Sequence, residues 1–226
     1  MELVRTLLRR LVHVIYRPYV LWRISEPSRA TVSGQGLVTD PLVFHPIYFF
    51  STKIVIHYLA SMDLAGRRFL DMGTGTGSIG IFASTRGAIV TCCDINPRAV
   101  EIARENAAGN RVAVEVLESD VFSALDGRRF DVICFNVPFY PRAPRSPFEA
   151  AFFAGPNFET VRSFAAGCAA ALSPSPDAAI VVIFSEDSGR ALMVSIFAGA
   201  GFVVAREIVE TRLFERFHLI TFRRGP

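Results

Sequence analysis

The chain is nearly devoid of lysine and tryptophan and has few cysteines. Lys53 is its single lysine and Trp22 its single tryptophan, and its cysteines are Cys92, Cys93, Cys134 and Cys168. No two cysteines form a C-x-x-C pair and no histidines cluster at metal-ligand spacing. That pattern argues against structural zinc and against a disulfide framework, and no metal is expected. The adjacent Cys92 and Cys93 should point to opposite faces of a strand. All four read as reduced, buried thiols, the usual state in a cytoplasmic protein. Neither sign of charge dominates: 24 basic side chains stand against 21 acidic ones, a net charge of +3. That bias is too weak to draw nucleic acid by the overall field alone. The basic residues are almost all arginine, which together with abundant alanine reflects genome composition rather than an arginine-built binding surface.

Long uncharged runs are also missing near the N-terminus. Residues 1–22 are apolar but interrupted by Arg5, Arg9, Arg10 and Arg17, so no run approaches the about 20 residues of a spanning helix. No small-residue cleavage site follows, which argues against a signal peptide. Leu3, Leu7, Leu11 and Ile15 fall on one helical stripe with Arg5 and Arg9 on another face. Three readings stand for this helix: docking on its own domain or forming part of a substrate lid, a homodimer contact, or a basic amphipathic helix on a membrane surface. The first is preferred, and Pro18 ends or kinks the helix.

What is present is ample core material, with 51% hydrophobic residues in 226, enough for one generous domain. Residues 28–41 are rich in turn formers and read as a loop or short hairpin, and 43–60 turn from aromatic to helix-like. From residue 68 strands and helices alternate. Strands are expected at 68–73, 88–94, 112–119, 130–136, 178–185, 202–210 and 214–224, with helices at 77–87, 97–110, 159–172 and 188–201. Alternation of this kind predicts an α/β fold with a doubly wound, Rossmann-like sheet of seven strands. Only Thr211 to Leu213 join the last two strands, too few for a parallel crossover, so the last strand is antiparallel.

Asp71-Met-Gly73-Thr74-Gly75-Thr-Gly77 lies between the first of these strands and its helix. Glycines there permit positive φ and close approach of the backbone to a ligand, and the helix start offers free N–H groups. Gly75-Thr-Gly77-Ser-Ile-Gly80 also matches G-x-G-x-x-G, and Asp94 follows Gly75 by 19 residues, where an NAD site places its ribose-binding acid. The loop alone therefore leaves NAD and other adenosine cofactors open. Asp71 helps to separate them: a carboxylate pointing into the crevice repels a pyrophosphate but suits the ammonium and sulfonium of S-adenosylmethionine.

The run from Phe69 to Ile81 resembles the first motif of class I S-adenosylmethionine-dependent methyltransferases. The resemblance continues through Cys93-Asp94-Ile95-Asn96-Pro97, Glu118-Ser119-Asp120-Val121-Phe122 and Asn136-Val137-Pro138-Phe139. It spans at least residues 68–140, and the strand order extends it to residue 224. It implies that Asp94 binds the ribose hydroxyls, that Ile95 packs on the adenine, and that Asp120 and the Val121 N–H meet the adenine edge. Asp71, Gly73, Thr74, Gly75 and Gly77 complete the expected cofactor set. Structural alternatives stand beside these roles: a helix N-cap for Asp120 and a turn residue for Asp94.

Asn136 ends an apolar strand, so it should face the site where a ligand lies beyond the strand ends. Its amide oxygen can accept a hydrogen bond from a substrate N–H and hold the nitrogen lone pair toward a methyl donor. Pro138 stiffens the turn and Phe139 offers a flat face. The element resembles the Asn-Pro-Pro-Tyr motif of N-directed methyltransferases, with Val137 in place of the first proline and Phe139 in place of tyrosine. Residues 94–107, and Val43-Phe44-His45-Pro46 followed by Ser51-Thr52, resemble the HemK and small-domain group. That likeness adds Thr52 to the cofactor set, although Lys53 stands where an acid is usual. His45 suits a substrate base near neutral pH, or a packed aromatic-loop residue. Tyr140, Arg142 and Arg145 sit in a proline-rich loop and suit acceptor contacts, with solvated arginines as the alternative.

The resemblance divides the chain into an N-terminal helical extension and lid, residues 1–60, and a methyltransferase catalytic domain, residues 61–226. It implies an S-adenosylmethionine-dependent methyltransferase, releasing S-adenosyl-L-homocysteine, that acts on a nitrogen of a protein side chain or small molecule. Base N-methylation of rRNA, tRNA or DNA is the alternative, since nucleic-acid enzymes usually carry a stronger basic surface. An NAD-dependent oxidoreductase and a non-catalytic cofactor-binding module are the remaining classes.

Overall fold

The computed structural model describes residues 19–20, 22–212 and 215–225. The amphipathic stripe from Leu3 to Ile15, with its readings as lid, dimer contact or membrane-surface helix, lies outside the described residues. No helix among the described residues is long and apolar enough to cross a membrane.

A two-stranded hairpin, β1 (Ser28–Val32) and β2 (Gln35–Thr39), is followed by helix α1 (Ser51–Leu59). Then come β3 (Arg68–Met72), α2 (Ser78–Thr85), β4 (Ile89–Asp94), α3 (Pro97–Gly109), β5 (Val114–Glu118) and β6 (Val132–Asn136). A short helix α4 (Pro147–Ala150) and the longer α5 (Glu159–Ala171) lead to β7 (Ala179–Ser185). Helix α6 (Arg190–Gly199) and the strands β8 (Phe202–Arg212) and β9 (Glu215–Arg224) finish the fold. The expected alternation is present with its order and its closing hairpin.

The seven-stranded sheet has the order β5-β4-β3-β6-β7-β9-β8, parallel except for β9, which runs antiparallel to both neighbours. The chain leaves β3 toward β4 and β5, then returns to lay β6 on the other side of β3. This reversal opens a crevice beyond the carboxyl ends of β3 and β6, the place where open α/β sheets bind ligands. Register makes the crevice narrow: Met72 pairs with Phe135, so Gly73 and Asn136 emerge side by side.

Both faces of the sheet are covered, which explains why its inner strands read as continuous apolar runs. All seven residues of β7 are buried. One core holds Leu70, Ile133, Phe135, Phe164, Phe197 and Phe222 against α5 and α6; the other holds Phe69, Ile81, Val132 and Cys134 against α1, α2 and α3. Cys92 and Cys93 fall in opposite cores, as alternation on a strand requires. All four cysteines are free and buried. Strand β8 is the outer strand on one side and carries a bulge between Val204 and Arg206.

Helix α3 starts where Asn96 accepts the Arg98 N–H at 3.0 Å and Pro97 supplies a first-turn residue that needs no partner. Inside it, Asn106 is buried and joins three pieces of chain. Its side chain accepts the Val38 N–H at 2.6 Å and donates to the carbonyls of Val38 at 3.0 Å and Thr76 at 2.9 Å. The hairpin is thereby tied to the loop after β3. Removing the amide leaves buried backbone groups unpaired, each costing about 1–3 kcal/mol. Asn106→Ala should therefore lower unfolding stability by about 3 kcal/mol in urea denaturation; a change within 0.5 kcal/mol, roughly the neutral range, would remove this clamp from the account.

Candidate functional site

Beyond the carboxyl ends of β3 to β6 lies a cavity of about 870 Å³. Its floor begins with the loop after β3. Gly73, Gly75 and Gly77 have φ of 62, 55 and 81°, a backbone that favours glycine. A side chain at Gly73 would put its Cβ 2.8 Å from the Phe135 ring, so that loop can carry only bare backbone beside β6.

Two carboxylates hold the loop. Asp71 Oδ2 accepts the Thr74 hydroxyl at 2.6 Å and the Gly80 N–H at 3.0 Å. Oδ1 is buried with no hydrogen-bond partner among the described residues. Burial pushes the Asp71 carboxyl up to about 7, although the Thr74 and Gly80 hydrogen bonds oppose the shift. The side chain does not point into the crevice, as the sequence suggested; donors in the loop and at the start of α2 hold it behind the glycines. Asp94 does line the cavity. Its Oδ2 accepts the Gly75 N–H at 2.8 Å and its Oδ1 the Asn96 N–H at 2.9 Å. Burial raises its pKa and these backbone bonds oppose the rise.

Ile95, Asp120 and Val121 line the same side. Asp120 is exposed and caps no helix, because residues 121–124 form turns. Val121 has φ of 49°, a strained conformation for a β-branched residue. On the β6 side, Asn136, Val137, Pro138, Phe139, Tyr140 and Arg142 line the cavity. Asn136 Oδ1 is buried and has no partner among the described residues. The Phe139 carbonyl accepts the Ser188 hydroxyl at 2.9 Å. Behind Ser188, His218 sits between Glu186 at 2.7 Å and Glu207 at 2.8 Å, and the Arg190 hydrogen bond is the main cause that lowers Glu207 to about 2. This network ties the turn after β7, and with it Phe139, to the terminal hairpin.

Thr52, at the start of α1, joins the lining, as do Phe44, Phe49, Phe148 and Phe152. Four of the expected site residues do not reach it: Asp71, Gly77, His45 and Arg145. Gly77 sits under the loop, where an added Cβ would come within 3.2 Å of Ala103. His45 is buried, its Nδ1 accepts the Ile47 N–H at 3.3 Å, and its ring lies 4.7 Å from Tyr48. Burial lowers its pKa to about 4, with Arg23 adding to the shift, so it is neutral and packed at neutral pH. Arg145 is exposed, and its backbone N–H meets Glu149 at 2.8 Å. Among residues that the sequence did not single out, Ser119, Glu149 and Phe217 line the cavity. The polar residue before Asp120 was a usable signal for Ser119; nothing local pointed to Phe217 on the last strand.

The geometry fits an adenosine cofactor: bare backbone at Gly73 and Gly75, the Asp94 and Asp120 carboxylates at adjacent strand ends, and a buried amide oxygen without a donor among the described residues. Sequence comparison finds that the methyltransferase small domain model matches residues 37–152. A Methanocaldococcus jannaschii protein provisionally named a protein N5-glutamine methyltransferase is 39% identical over 111 residues, 49% of this chain and 54% of that one. The ribosomal RNA small subunit methyltransferase C of Chromohalobacter salexigens is 35% identical over 116 residues, 50% of this chain and 34% of its own. The crystal structure of a ribosomal protein L11 methylase from Lactobacillus delbrueckii subsp. bulgaricus superposes with a TM-score of 0.62 at 17% identity, over 78% of this chain and 79% of that one. The chain spans about half the length or less of the curated relatives it matches.

Two predictions follow from the loop's packing and charge. Gly80 lies in α2, where alanine is the better helix former by about 1 kcal/mol, yet its Cβ would stand 2.2 Å from Cys92 Sγ. Gly80→Ala should cost about 2 kcal/mol through overpacking, and Gly80→Ala with Cys92→Ala should recover part of that loss in urea denaturation. A stabilised single variant would contradict the packing described. Asp71 has a folded pKa of about 7, above its ordinary 3.8, so the folded state holds the extra proton between those values. Its contribution to stability is full below pH 3.8 and is lost as pH rises through 7. Wild type should thus lose up to about 1.4 kcal/mol more per pH unit than Asp71→Asn between pH 5 and 6.5. Parallel pH profiles for the two proteins would overturn this.

Proposed function

The chain belongs to the methyltransferase small domain family, and from that premise we propose that it transfers a methyl group from S-adenosylmethionine to a nitrogen of a protein side chain or small molecule. The observation that carries this reading is Asn136 Oδ1, buried at the end of β6 without a donor and beside the glycine loop. A buried acceptor left unpaired is costly unless a ligand completes it. An amide or amino N–H of the acceptor is the complement.

We assign the cofactor to Thr52, Gly73, Thr74, Gly75, Asp94, Ile95, Asp120 and Val121, which line the cavity. Asp71 and Gly77 act from behind the loop. Asp94 is the acceptor for the ribose hydroxyls, and Asp120 with the Val121 N–H reads the adenine edge. S-adenosylmethionine, when bound, supplies an electrophilic methyl group and leaves as S-adenosyl-L-homocysteine. Asn136 Oδ1 accepts one acceptor N–H and fixes the nitrogen lone pair in direction. Pro138 limits motion of the turn, Val137 anchors it in the sheet through its N–H to Ile183 at 3.2 Å, and Phe139 offers a flat face to the acceptor. Tyr140 and Arg142 border the same space, whereas His45 and Arg145 serve the surrounding loops. Orientation and water exclusion carry much of the rate in such a transfer.

In this reading the described part of residues 1–60, a hairpin with helix α1 rather than the wholly helical extension expected, forms a lid on a catalytic domain of residues 61–226. Phe44, Phe49 and Thr52 support it by lining the cavity from that part of the chain. The four free buried thiols support a cytoplasmic location. The relative named for ribosomal RNA keeps a base acceptor as the second reading.

Calorimetric titration with S-adenosylmethionine, S-adenosylhomocysteine and NAD should show micromolar binding of the first two and none of NAD; binding of NAD alone would sink the proposal. Asn136→Ala should cut methyl transfer by about 100-fold or more and leave S-adenosylhomocysteine affinity within roughly three-fold, the change of about 0.7 kcal/mol. Turnover at the wild-type rate would remove Asn136 from the catalytic role.

A further inference from the structure

We propose that the acceptor is a small, planar, largely apolar amine or amide without phosphate groups, taken up in a chamber of four phenylalanines next to Asn136. The inference rests on the methyl-transfer reading above and narrows its substrate. The chamber is built by Phe44, Phe49, Phe148 and Phe152. Phe44 stacks on Phe49 with centroids 4.4 Å apart, Phe152 lies 5.6 Å from Phe44 and 5.4 Å from Phe49, and Phe148 lies 5.4 Å from Phe152. These rings come from two separate segments and span the gap that matters. A Cβ on Gly75 would lie 3.8 Å from Phe44 Cβ, while the Phe152 carbonyl accepts the Tyr140 N–H at 2.9 Å. The cluster therefore reaches from the glycine loop to the element that begins at Asn136.

All four rings are only partly buried, and all four line the cavity. A packed core would cover such rings; here apolar surface stays open in a cleft, which marks a binding site. Planar ligands match them through stacked or edge contacts. The charges point the same way. With Asp94 and Asp120 assigned to the cofactor, the charged residues left among the described lining are the acidic Glu149 and Glu215 and one cation, Arg142. Arg142 is already engaged: it pairs with Glu149 at 3.3 Å and its guanidinium lies 3.8 Å over the Phe153 ring. A nucleotide or RNA acceptor brings phosphates that need cations, and among the described lining residues Arg142 is the sole candidate. A neutral or cationic acceptor meets no such penalty. Asn136 Oδ1 is the polar anchor that selects an N–H among apolar ligands.

The test uses N-phenyl-1-naphthylamine, a neutral secondary amine with flat aromatic rings whose fluorescence rises in apolar surroundings. It is titrated into the full chain with and without saturating S-adenosylhomocysteine, whose own affinity is measured by calorimetry. The expected result is saturable binding of the probe with S-adenosylhomocysteine still bound. Adenosine monophosphate, a short RNA and a glutamine-containing peptide should not displace the probe. Phe152→Ala should weaken the probe at least ten-fold, Phe152→Leu less, and both should bind S-adenosylhomocysteine within three-fold of wild type, which also reports that they fold. Assays with radiolabelled S-adenosylmethionine should then favour planar amines over nucleosides and over the peptide. Displacement of the probe by the nucleotide, RNA or peptide, or equal probe affinity in Phe152→Ala, overturns the proposal. In each of those cases intact S-adenosylhomocysteine binding leaves the methyltransferase reading standing; loss of that binding in wild type defeats the methyltransferase reading itself.

Discussion

Everything at the mouth of this sheet depends on two carboxylates accepting hydrogen bonds from one turn of the chain. Asp71 takes the Thr74 hydroxyl and the Gly80 N–H from behind, and Asp94 takes the Gly75 N–H from the neighbouring strand. Burying carboxylates is costly unless donors compensate. Here the donors are the groups that a left-handed glycine turn and a helix start leave over. The turn needs the acids to hold its shape, and the acids need the turn to be tolerated inside. A loop held this way is rigid before any ligand arrives, so ligand binding spends little on ordering it.

The rest of the architecture delivers other groups to that turn. Parallel register sets Gly73 beside Asn136, and the reversal of strand order keeps the space between their loops open. Asn106 fastens the hairpin to the same loop from the opposite direction. The Ser188 bond to the Phe139 carbonyl then transmits the position of the last hairpin to the acceptor side. Cofactor side and acceptor side are thus fixed by different parts of the chain and meet only across the cavity.

How much of this was legible depended on the range over which each residue acts. Strand and helix alternation is local, so the seven strands, their order of appearance and the antiparallel end could be read from spacing. Asp94 and Asn136 stand at strand ends, and strand ends are where ligands meet such sheets. Their arrival at the cavity followed from position alone. Asp71 stands at a strand end as well, but its direction is decided by Thr74 and Gly80, whose donors outcompete the crevice. His45 was ambiguous for a similar reason, because an aromatic neighbourhood in sequence does not say whether an imidazole faces inward or toward a ligand. Asn106 and Phe217 were invisible, since Asn106 meets Val38, 68 residues away, and Phe217 meets Phe139 from the far side of β7. The meeting of Phe44 and Phe49 with Phe148 and Phe152 is a tertiary fact, since about a hundred residues separate the two segments.

The bulge in β8 governs how these molecules treat one another at high concentration. An unbroken outer strand offers its free amides and carbonyls to any passing strand, and Val203, Val204 and Val209 on β8 are exposed enough to encourage the match. The register shift between Val204 and Arg206 breaks the repeat after the second valine, and Arg206, Glu207, Glu210 and Arg212 place charges along the remainder. A second copy arriving edge to edge would have to skip a residue and desolvate ions to continue the sheet. The irregularity thus makes a valine-rich margin a poor template for a second strand.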